Sequence, residues 1–276
     1  MTHKLRRPLP PNRTYEQVRN HYEVEKSLAD RLKKADREER KGIYATMYDE
    51  LFLKVPDHPR LTRRADESLT TRANREKYSV VRRQLGRDTV FAEFAPGDCR
   101  FSFHVAPHVK EVYGIDISDQ RNPADKAPAN FRLIVYDGYD LSEMPDSSID
   151  VVFSDQLIEH FHPADTRLHF QLAHRILKPS GKYVFRTPHL YNGPHDISVY
   201  FADEPQGFHL KEWTYRELRK LVREVGFSGF QSYWNASTWN VRLPYVYFAL
   251  CERMRGVMPR KLFRMFIKTV CAVAVK

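Results

Sequence analysis

Histidines that could accept a proton at neutral pH are concentrated in the second half of this chain. Their usual pKa of about 6.5 makes histidine a common general base. Five of them are His160, His162, His189, His195 and His209. We expect His160, His195 and His209 to be catalytic, acting on a hydroxyl nucleophile. Asp196 follows His195 directly, but adjacent residues of an extended chain point to opposite faces, so the two are not predicted to pair.

Two acidic residues stand at the ends of apolar runs that are typical of parallel strands. The run that opens at Val90 ends with Glu93, and the run at 112–117 carries Asp116. A turn and a helix-length segment separate them, which predicts a strand–turn–helix–strand unit. In a doubly wound sheet, such strand tips line the crevice where a nucleotide-like ligand binds. A carboxylate after the second strand can accept hydrogen bonds from both hydroxyls of a ribose.

Further strands follow at regular intervals along the chain. A third is predicted to end at Asp137 and Gly138, and a fourth spans 149–154, before Asp155 and Gln156. A helix with apolar residues at helical spacing leads to a Pro-Ser-Gly turn and a fifth strand at 182–187. The stretch GFSGFQSYW predicts a sixth strand, and TVCAVAVK predicts a final one. The pattern therefore indicates an α/β fold.

This series of landmarks resembles the class I S-adenosylmethionine (SAM)-dependent methyltransferases of the type 11 and 23 kind. In that family, an acid–x–Gly–x–Gly–x–Gly loop passes under the cofactor. Glu93, Gly97 and Asp116 stand at the family's positions, whereas Ala95 and Cys99 occupy the first and third glycine positions. These small replacements permit close backbone approach provided that neither position needs a positive φ.

The resemblance implies a Rossmann-like, doubly wound, seven-stranded sheet whose last strand is antiparallel, preceded by an N-terminal helical extension. It also implies SAM as the cofactor. The residues that it places around SAM are Glu93, Ala95, Gly97, Asp98, Asp116, Ile117, Asp137, Gly138, Ser154, Asp155 and Gln156.

A second, narrower resemblance concerns a metal ion. The run from Gln156 to Glu159 and His160 is similar to the E-x-x-E-H run of small-RNA 3′-terminal 2′-O-methyltransferases, and GFHLKEWTY resembles a later stretch with His209. By this resemblance, Glu159, His160 and His209 would hold a divalent metal that acidifies a ribose diol. Gln156 replaces the first carboxylate, and one carboxylate with two imidazoles is a poor magnesium site. A structural or general-base role for these residues is the alternative.

The sequence divides into five predicted parts: a flexible basic arm at 1–13, a helical lid or extension at 14–86, a SAM-binding core at 87–235, a basic amphipathic insertion at 236–268, and the final core strand at 269–276. Thr14 with Gln17, and Thr214 with Glu217, are capping boxes that predict helix starts. By analogy with lids in related enzymes, Tyr48, His58 and Arg64 could contact cofactor and substrate. Packing on the sheet is the alternative for each.

The charge and composition of the chain limit the kinds of partner that it is expected to bind. The formal net charge of +10 and the sequence pI near 9.4 imply attraction to an anion: nucleic acid, phospholipid or a phosphate-linked substrate. No apolar run is long enough to span a membrane, and three widely spaced cysteines suggest no disulfide framework. We expect a cytoplasmic protein, with a peripheral position at the inner membrane face as one option. The C-terminal insertion would supply that contact, although burial or a dimer interface would explain its apolar residues equally well.

Our prediction is an O-methyltransferase that acts on a hydroxyl of a sugar, glycan or related polar small molecule, as in bacterial cell-surface polysaccharide or natural-product pathways. A metal-dependent RNA ribose 2′-O-methyltransferase is the first alternative, and a non-catalytic SAM-fold scaffold is the second. Ser154-Asp155-Gln156-Leu157 lacks the Asn/Asp-Pro-Pro-aromatic run of DNA amino-methylases, and no Pro-Cys nucleophile appears. DNA is therefore not an expected substrate.

Overall fold

A computed structural model describes residues 5–276, and for Arg260 the backbone alone. The first four residues of the predicted arm at 1–13 lie outside this range. Within the described part, the arm contacts the loop that follows the fifth strand, because Arg6 donates its backbone N–H to the carbonyl of Tyr200 and pairs with Asp203.

The centre of the fold is an eight-stranded sheet in the order β3-β2-β1-β4-β5-β8-β6-β7. The strands β3, β2, β1, β4 and β5 run parallel to one another, and β8 lies antiparallel between β5 and β6. The doubly wound sheet and the antiparallel final strand are therefore confirmed. The strands are β1 (Val90–Phe94), β2 (Glu111–Asp116), β3 (Phe131–Val135), β4 (Ile149–Asp155), β5 (Leu177–Pro188), β6 (Gly229–Ala236), β7 (Trp239–Leu243) and β8 (Thr269–Val275).

The eighth strand is the difference from the predicted seven. The first residues of the C-terminal insertion turn back at Ser237, whose φ is 53°, and form β7 as an antiparallel edge strand on β6. A positive φ suits a two-residue hairpin loop because its twist matches that of the two strands. The insertion therefore begins by extending the sheet.

Helices cover both faces of this sheet. On one face lie α4 (Glu67–Val81) and α5 (Arg100–Val105), packed with Phe91, Phe101 and Phe153. On the other lie α6 (Pro163–Ile176) and α7 (Tyr215–Val225), packed with Phe94, Phe170 and Phe185. The predicted capping box starts α7, and Gly226 ends it with a φ of 113°.

Four helices precede the first strand. They are α1 (Tyr15–Lys34), α2 (Arg37–Lys54), α3 (Pro59–Arg64) and α4. The predicted capping box of Thr14 and Gln17 starts α1. Leu28 and Leu32 of α1 pack with Met47 and Leu51 of α2, and this cluster also contains Phe208 from the loop before α7. The N-terminal helices are thus fastened to the edge of the sheet where the parallel strands end.

The rest of the C-terminal insertion forms α8 (Tyr245–Arg253) and α9 (Arg260–Phe266). Phe248, Cys251, Phe263 and Ile267 join the large core cluster on the α6–α7 face. Burial therefore accounts for these four apolar residues. Among the described residues, no helix is both long and apolar enough to cross a bilayer.

Candidate functional site

The turn after β1 has the backbone conformation of a glycine loop, although only one of its three glycine positions is glycine. The φ angles are 53° at Ala95, 60° at Gly97 and 61° at Cys99. The condition that neither replacement needs a positive φ is therefore not met, and each left-handed residue costs about 1–2 kcal/mol. The Cys99 side chain is fully buried under the turn, and Ala95 presents only a methyl group. The close approach of the backbone is thus preserved.

Asp116 holds the turn in place from the tip of β2. Its carboxylate accepts a hydrogen bond from the Gly97 N–H at 3.0 Å and another from the Ile117 N–H at 2.7 Å. Burial raises the pKa of Asp116, and these backbone donors oppose the rise. The carboxylate is thus directed at the turn, and each of its two oxygens accepts a backbone hydrogen bond.

A cavity of about 60 Å³ lies at this edge of the sheet. Several residues predicted to hold the cofactor share its wall: Ala95, Asp116, Ile117 and Gly138. Helix α2 forms its roof with Tyr44, Met47 and Tyr48, which places the predicted lid residue Tyr48 at the cavity. Small-molecule sites usually have at least about 300 Å³. Entry of a nucleoside-sized ligand therefore requires α2 to shift.

Arg64, another predicted lid residue, lies over the turn itself. One of its terminal nitrogens would be 3.1 Å from a Cβ added at Gly97. Its guanidinium donates to Gln120 at 2.8 Å and lies 3.7 Å from the Asp98 carboxylate. Asp98 also accepts from the Arg100 N–H. Helix α3 thus brings a positive charge to the cofactor turn.

The other predicted cofactor residues make internal contacts. Glu93 is buried and accepts from Ser102 and Lys77. Asp137 accepts from the N–H groups of Tyr139 and Asp140, within its own turn. These two carboxylates support the turns that carry the cavity.

At the tip of β4, the polar side chains are likewise occupied. Ser154 is bonded to the Tyr183 hydroxyl at 2.7 Å, and Asp155 accepts two hydrogen bonds from Arg186 at 2.6 and 2.9 Å. Burial would raise the pKa of Asp155, but the Arg186 guanidinium outweighs it and the pKa is lowered. Gln156 has a φ of 55° and donates its N–H to the Arg186 carbonyl.

Immediately beyond β4, a buried carboxyl and two imidazoles meet. The possible ligand atoms of Glu159, His160 and His209 lie within 4.8 Å of one another. Glu159 accepts from the Thr187 hydroxyl through Oε2, while its Oε1 is buried with no hydrogen-bond partner among the described residues. His160 donates from Nδ1 to the Phe208 carbonyl, so its Nε2 carries the lone pair. His160 also lines the cavity, which joins this cluster to the cofactor site.

Glu212 organises the histidines from the other side. It accepts from His209 Nδ1 at 2.9 Å and from His195 Nδ1 at 3.1 Å. A Cβ at Gly193 would stand 1.8 Å from a Glu212 oxygen, so only glycine leaves room for this carboxylate. Asp196 instead accepts from the Gly207 N–H, so it does not pair with His195. The structure thus brings together all three predicted catalytic histidines.

Burial and charge give these groups different protonation states at neutral pH. Burial raises the pKa of Glu159 to about 7 and lowers the pKa of His160 to about 3. Burial would also lower the pKa of His209, but Glu212, Glu159 and Asp196 raise it to about 9. At neutral pH these shifts favour an imidazolium at His209 and a neutral ring at His160, and they bring the pKa of Glu159 close to neutrality.

The donor set of this cluster fits a metal ion. A metal-bound histidine usually donates its other ring N–H to a carbonyl or carboxylate, and both His160 and His209 do so. Oε1 of Glu159 would be the third ligand atom. Two imidazoles and one carboxylate suit zinc, manganese or iron better than magnesium.

A second cluster with similar residues does not fit a metal ion. His21 and His58 both face Glu25, at 2.8 and 3.7 Å. Each ring accepts at Nδ1 from an obligate donor, the Arg13 guanidinium or the Arg60 N–H, so each carries its proton on Nε2, toward Glu25. A metal would have to displace both protons. This cluster is a hydrogen-bonded contact between α1 and the segment before α3, and it contains the third predicted lid residue, His58.

Of the five histidines that the sequence analysis considered, the remaining two, His162 and His189, have structural partners. His162 caps α6 by accepting from the Ala164 N–H, and His189 is bonded to Glu252 of α8.

Two features of the site were not predicted from the sequence: the role of Glu212 and the pairing of Arg40 with Asp165. A carboxylate three residues after His209 was visible in the sequence, but its second partner, His195, is brought in by a loop.

One protein family and several solved structures are similar to this chain. Residues 92–185 match the family described as a methyltransferase domain. Among curated proteins, none matches the chain in sequence. The 1,6-didemethyltoxoflavin-N1-methyltransferase of Burkholderia thailandensis, solved with S-adenosylhomocysteine, has a TM-score of 0.54 and 14% identity; the match covers 88% of this chain and 91% of that one.

Two further solved structures are similar. A SAM-dependent methyltransferase of Archaeoglobus fulgidus has a TM-score of 0.51 and 16% identity, covering 76% of this chain and 100% of that one. Phosphoethanolamine N-methyltransferase 1 of Haemonchus contortus has a TM-score of 0.59 and 13% identity, covering 87% of this chain and 50% of that one. At these identities the likeness is one of fold. Residues 92–185 thus match a methyltransferase-domain family, and the fold of the chain is similar to that of SAM-dependent methyltransferases.

Proposed function

We propose that this protein transfers the methyl group of SAM to a hydroxyl of a polar acceptor such as a sugar or glycan, and that Glu159 is the base. The observation that carries this proposal is the free Oε1 atom of Glu159, buried beside two imidazoles next to the cavity. Two hydrogen bonds of about 2.8 Å that meet at one oxygen span roughly 4.5 Å. The possible ligand atoms of Glu159 and His209 lie within 4.8 Å of each other, which is close enough for one acceptor hydroxyl to bond to both.

The reaction is an in-line displacement. The acceptor oxygen forms a bond to the methyl carbon as the bond from that carbon to sulfur breaks, and the sulfonium becomes a neutral thioether. The hydroxyl proton passes to Oε1 of Glu159. The His209 imidazolium can donate a hydrogen bond to the same oxygen and so orient one of its lone pairs toward the methyl group.

Protonation states favour Glu159 over the three predicted histidine bases. A base works best when its pKa is near the working pH, and that of Glu159 is about 7. His209 is already protonated at this pH, and His160 is a weak base with a pKa of about 3. His195 lies farther out, because its side chain is 25% exposed whereas Glu159 is fully buried. We therefore assign the histidines to orienting the acceptor.

The test is methyl transfer from labelled SAM to a panel of free sugars and polysaccharides, with amines and RNA as comparison acceptors. We expect label in an ether of a sugar, and a loss of about 10²–10⁴-fold in rate for Glu159→Gln. The exposed Glu143→Gln is the matched control and should act as wild type.

Label found only on amines would contradict the proposal. An amine attacks as the free base, so Glu159→Gln would then keep most of its activity. This outcome matters because two of the similar solved structures are N-methyltransferases by name.

A second candidate function uses the same residues with a metal. The ring orientations of His160 and His209 and the free Glu159 oxygen favour it. Bound there, a divalent metal would act as a Lewis acid that lowers the pKa of a hydroxyl, as in RNA ribose 2′-O-methylation. Metal analysis of the purified protein and transfer in the presence of a strong chelator decide the matter. Full activity in chelator would exclude the metal and leave Glu159 as base.

A further inference from the structure

The C-terminal insertion exposes large apolar side chains on the surface that turns away from the core. On α8, Val246 is 59% and Leu250 is 56% exposed, four residues apart on one helical face. In the turn after α8, Val257 is 84% exposed. The same surface continues with Met254, Leu262 and Met265. Because α8 and α9 bury their other faces in one core cluster, these six residues form the outer surface of the insertion.

The charges of this segment have one sign. Between residues 237 and 268, the basic residues are Arg242, Arg253, Arg255, Arg260, Lys261, Arg264 and Lys268. Glu252 is the only acidic residue there, and its side chain is turned inward, where it accepts from His189 and from the Tyr215 N–H. Among the described side chains, the outer surface therefore combines cations and large apolar groups with no carboxylate.

We propose that this surface docks on an anionic phospholipid bilayer. Interfacial helices bind in this way, with apolar side chains in the boundary between headgroups and acyl chains and with Lys and Arg near lipid phosphates. A protein partner with an apolar patch would have no need of so many cations. A nucleic acid would gain little from Val257 and Met265, which stand farthest into solvent.

The position of the surface adds to the argument. Arg255, Met258 and Phe263 of the insertion form one wall of an open groove of about 810 Å³. Gly193 and Glu212 lie on its other side, and Glu212 is the carboxylate that holds His195 and His209. A docked bilayer would therefore lie next to a groove that borders the candidate site.

The test is flotation of the full-length protein with vesicles of phosphatidylcholine containing phosphatidylglycerol, compared with pure phosphatidylcholine. We expect binding to the anionic vesicles only, weakening with salt. The double variant Val257→Asp/Met265→Asp should reduce the bound fraction by about tenfold or more. Arg253→Glu should reduce it by roughly fivefold or more.

Matched controls separate docking from folding. Leu53→Asp changes an apolar residue on α2 that is 83% exposed, and Lys220→Glu reverses a cation on α7 whose side chain is 79% exposed. Both should float as wild type, and all variants should melt at the wild-type temperature. The proposal is overturned if the wild type stays unbound with anionic vesicles, or if the double variant binds equally well. It is also overturned if light scattering shows a dimer that the double variant dissociates, because the surface is then an interface between copies.

Discussion

At the scale of single residues, the account depends on how the fold changes the chemistry of a carboxyl group. Glu159 is fully buried, and burial raises its pKa to about 7, whereas His209 is held as an imidazolium by Glu212. A carboxylate with a pKa near the working pH beside a positively charged ring is a suitable arrangement for removing a proton from a hydroxyl.

This arrangement predicts the pH dependence of methyl transfer. The proposed reaction requires ionised Glu159 and protonated His209, so the rate should rise as pH increases through about 7 and fall as pH increases through about 9. In Glu212→Gln, the upper limb should move to lower pH because the main hydrogen-bond partner of His209 loses its charge. A rate that keeps rising unchanged above pH 9 would contradict the role of the imidazolium.

A second residue-scale prediction concerns the turn after β1. Ala95→Gly removes the strain of a left-handed alanine, so we expect stability within about 1 kcal/mol of wild type and unchanged SAM affinity. Ala95→Val places a β-branched residue at a φ of 53°, and should lower both the melting temperature and the affinity for SAM. Calorimetric titration and thermal unfolding measure the two effects. Equal SAM binding by the valine variant would show that the cofactor does not approach this turn.

The sequence located these residues better than it assigned their roles. Glu93, Gly97 and Asp116 could be placed because apolar strands are recognisable and their tips share one edge of the sheet. The protonation states of Glu159 and His209 could not be predicted, since they depend on burial and on neighbours supplied by distant loops. Whether Ala95 and Cys99 have a positive φ stayed open in the sequence, because alanine and cysteine seldom adopt such values.

At the scale of elements, α2 connects the N-terminal helices to the cofactor site. Arg40, Tyr44 and Met47 share one helical face, and the latter two roof the cavity. Arg40 donates two hydrogen bonds to Asp165 of α6, at 2.7 and 2.9 Å, and both side chains are buried. Tyr139 also donates to Asp165. This bidentate pair holds the roof over the cavity.

Removing the arginine should therefore release α2. We expect Arg40→Ala to lower the free energy of unfolding by about 3 kcal/mol, because it leaves a buried carboxylate without its charged partner, and to weaken SAM binding. Arg40→Lys should restore only part of both, since lysine lacks the planar fork.

The control for this variant is Arg31→Ala. Arg31 of α1 pairs with Glu50 of α2, but its side chain is 47% exposed, so the loss should stay below about 1 kcal/mol. Chemical unfolding and calorimetry measure the effects. A smaller loss for Arg40→Ala than for Arg31→Ala would show that the buried pair does not hold α2.

Element boundaries followed from local signals where such signals exist. The capping boxes at Thr14 and Thr214 marked the starts of α1 and α7, and Gly226 marked an end. Strand β7 had no comparable signal: its residues alternate weakly, and its turn is Ser237-Thr238 rather than a glycine turn. It forms through antiparallel pairing of its backbone with β6 across this short turn.

At the scale of the whole molecule, the shifted pKa values of buried groups predict how the stability of the fold depends on pH. The pKa of His209 is raised in the folded state to about 9, so its stabilising contribution is complete below its unfolded pKa of about 6.5 and is lost as pH rises through 9. The raised pKa of Glu159 acts in the same direction up to about 7.

The melting temperature should accordingly fall between about pH 7.5 and 8.5, which lies above the range where histidines with a lowered pKa, such as His160 and His169, add stability as pH rises, and below the ordinary pKa of the buried cysteines. Glu212→Gln should show a shallower fall in this window, whatever its stability at pH 7. Scanning calorimetry at several pH values provides the comparison. A melting temperature that rises over this range would mean that His209 is not held as an imidazolium.

The central proposal is that the turn after β1 and Asp116 bind SAM. Glu159, in contrast, acts only on the acceptor. Calorimetric titration of SAM into wild type, Asp116→Asn and Glu159→Gln tests this most directly. We expect wild type and Glu159→Gln to bind equally, and Asp116→Asn to bind at least about tenfold more weakly, because it loses a charged acceptor for the ribose hydroxyls. Failure of the wild type to bind SAM, or equal binding by Asp116→Asn, would contradict the account.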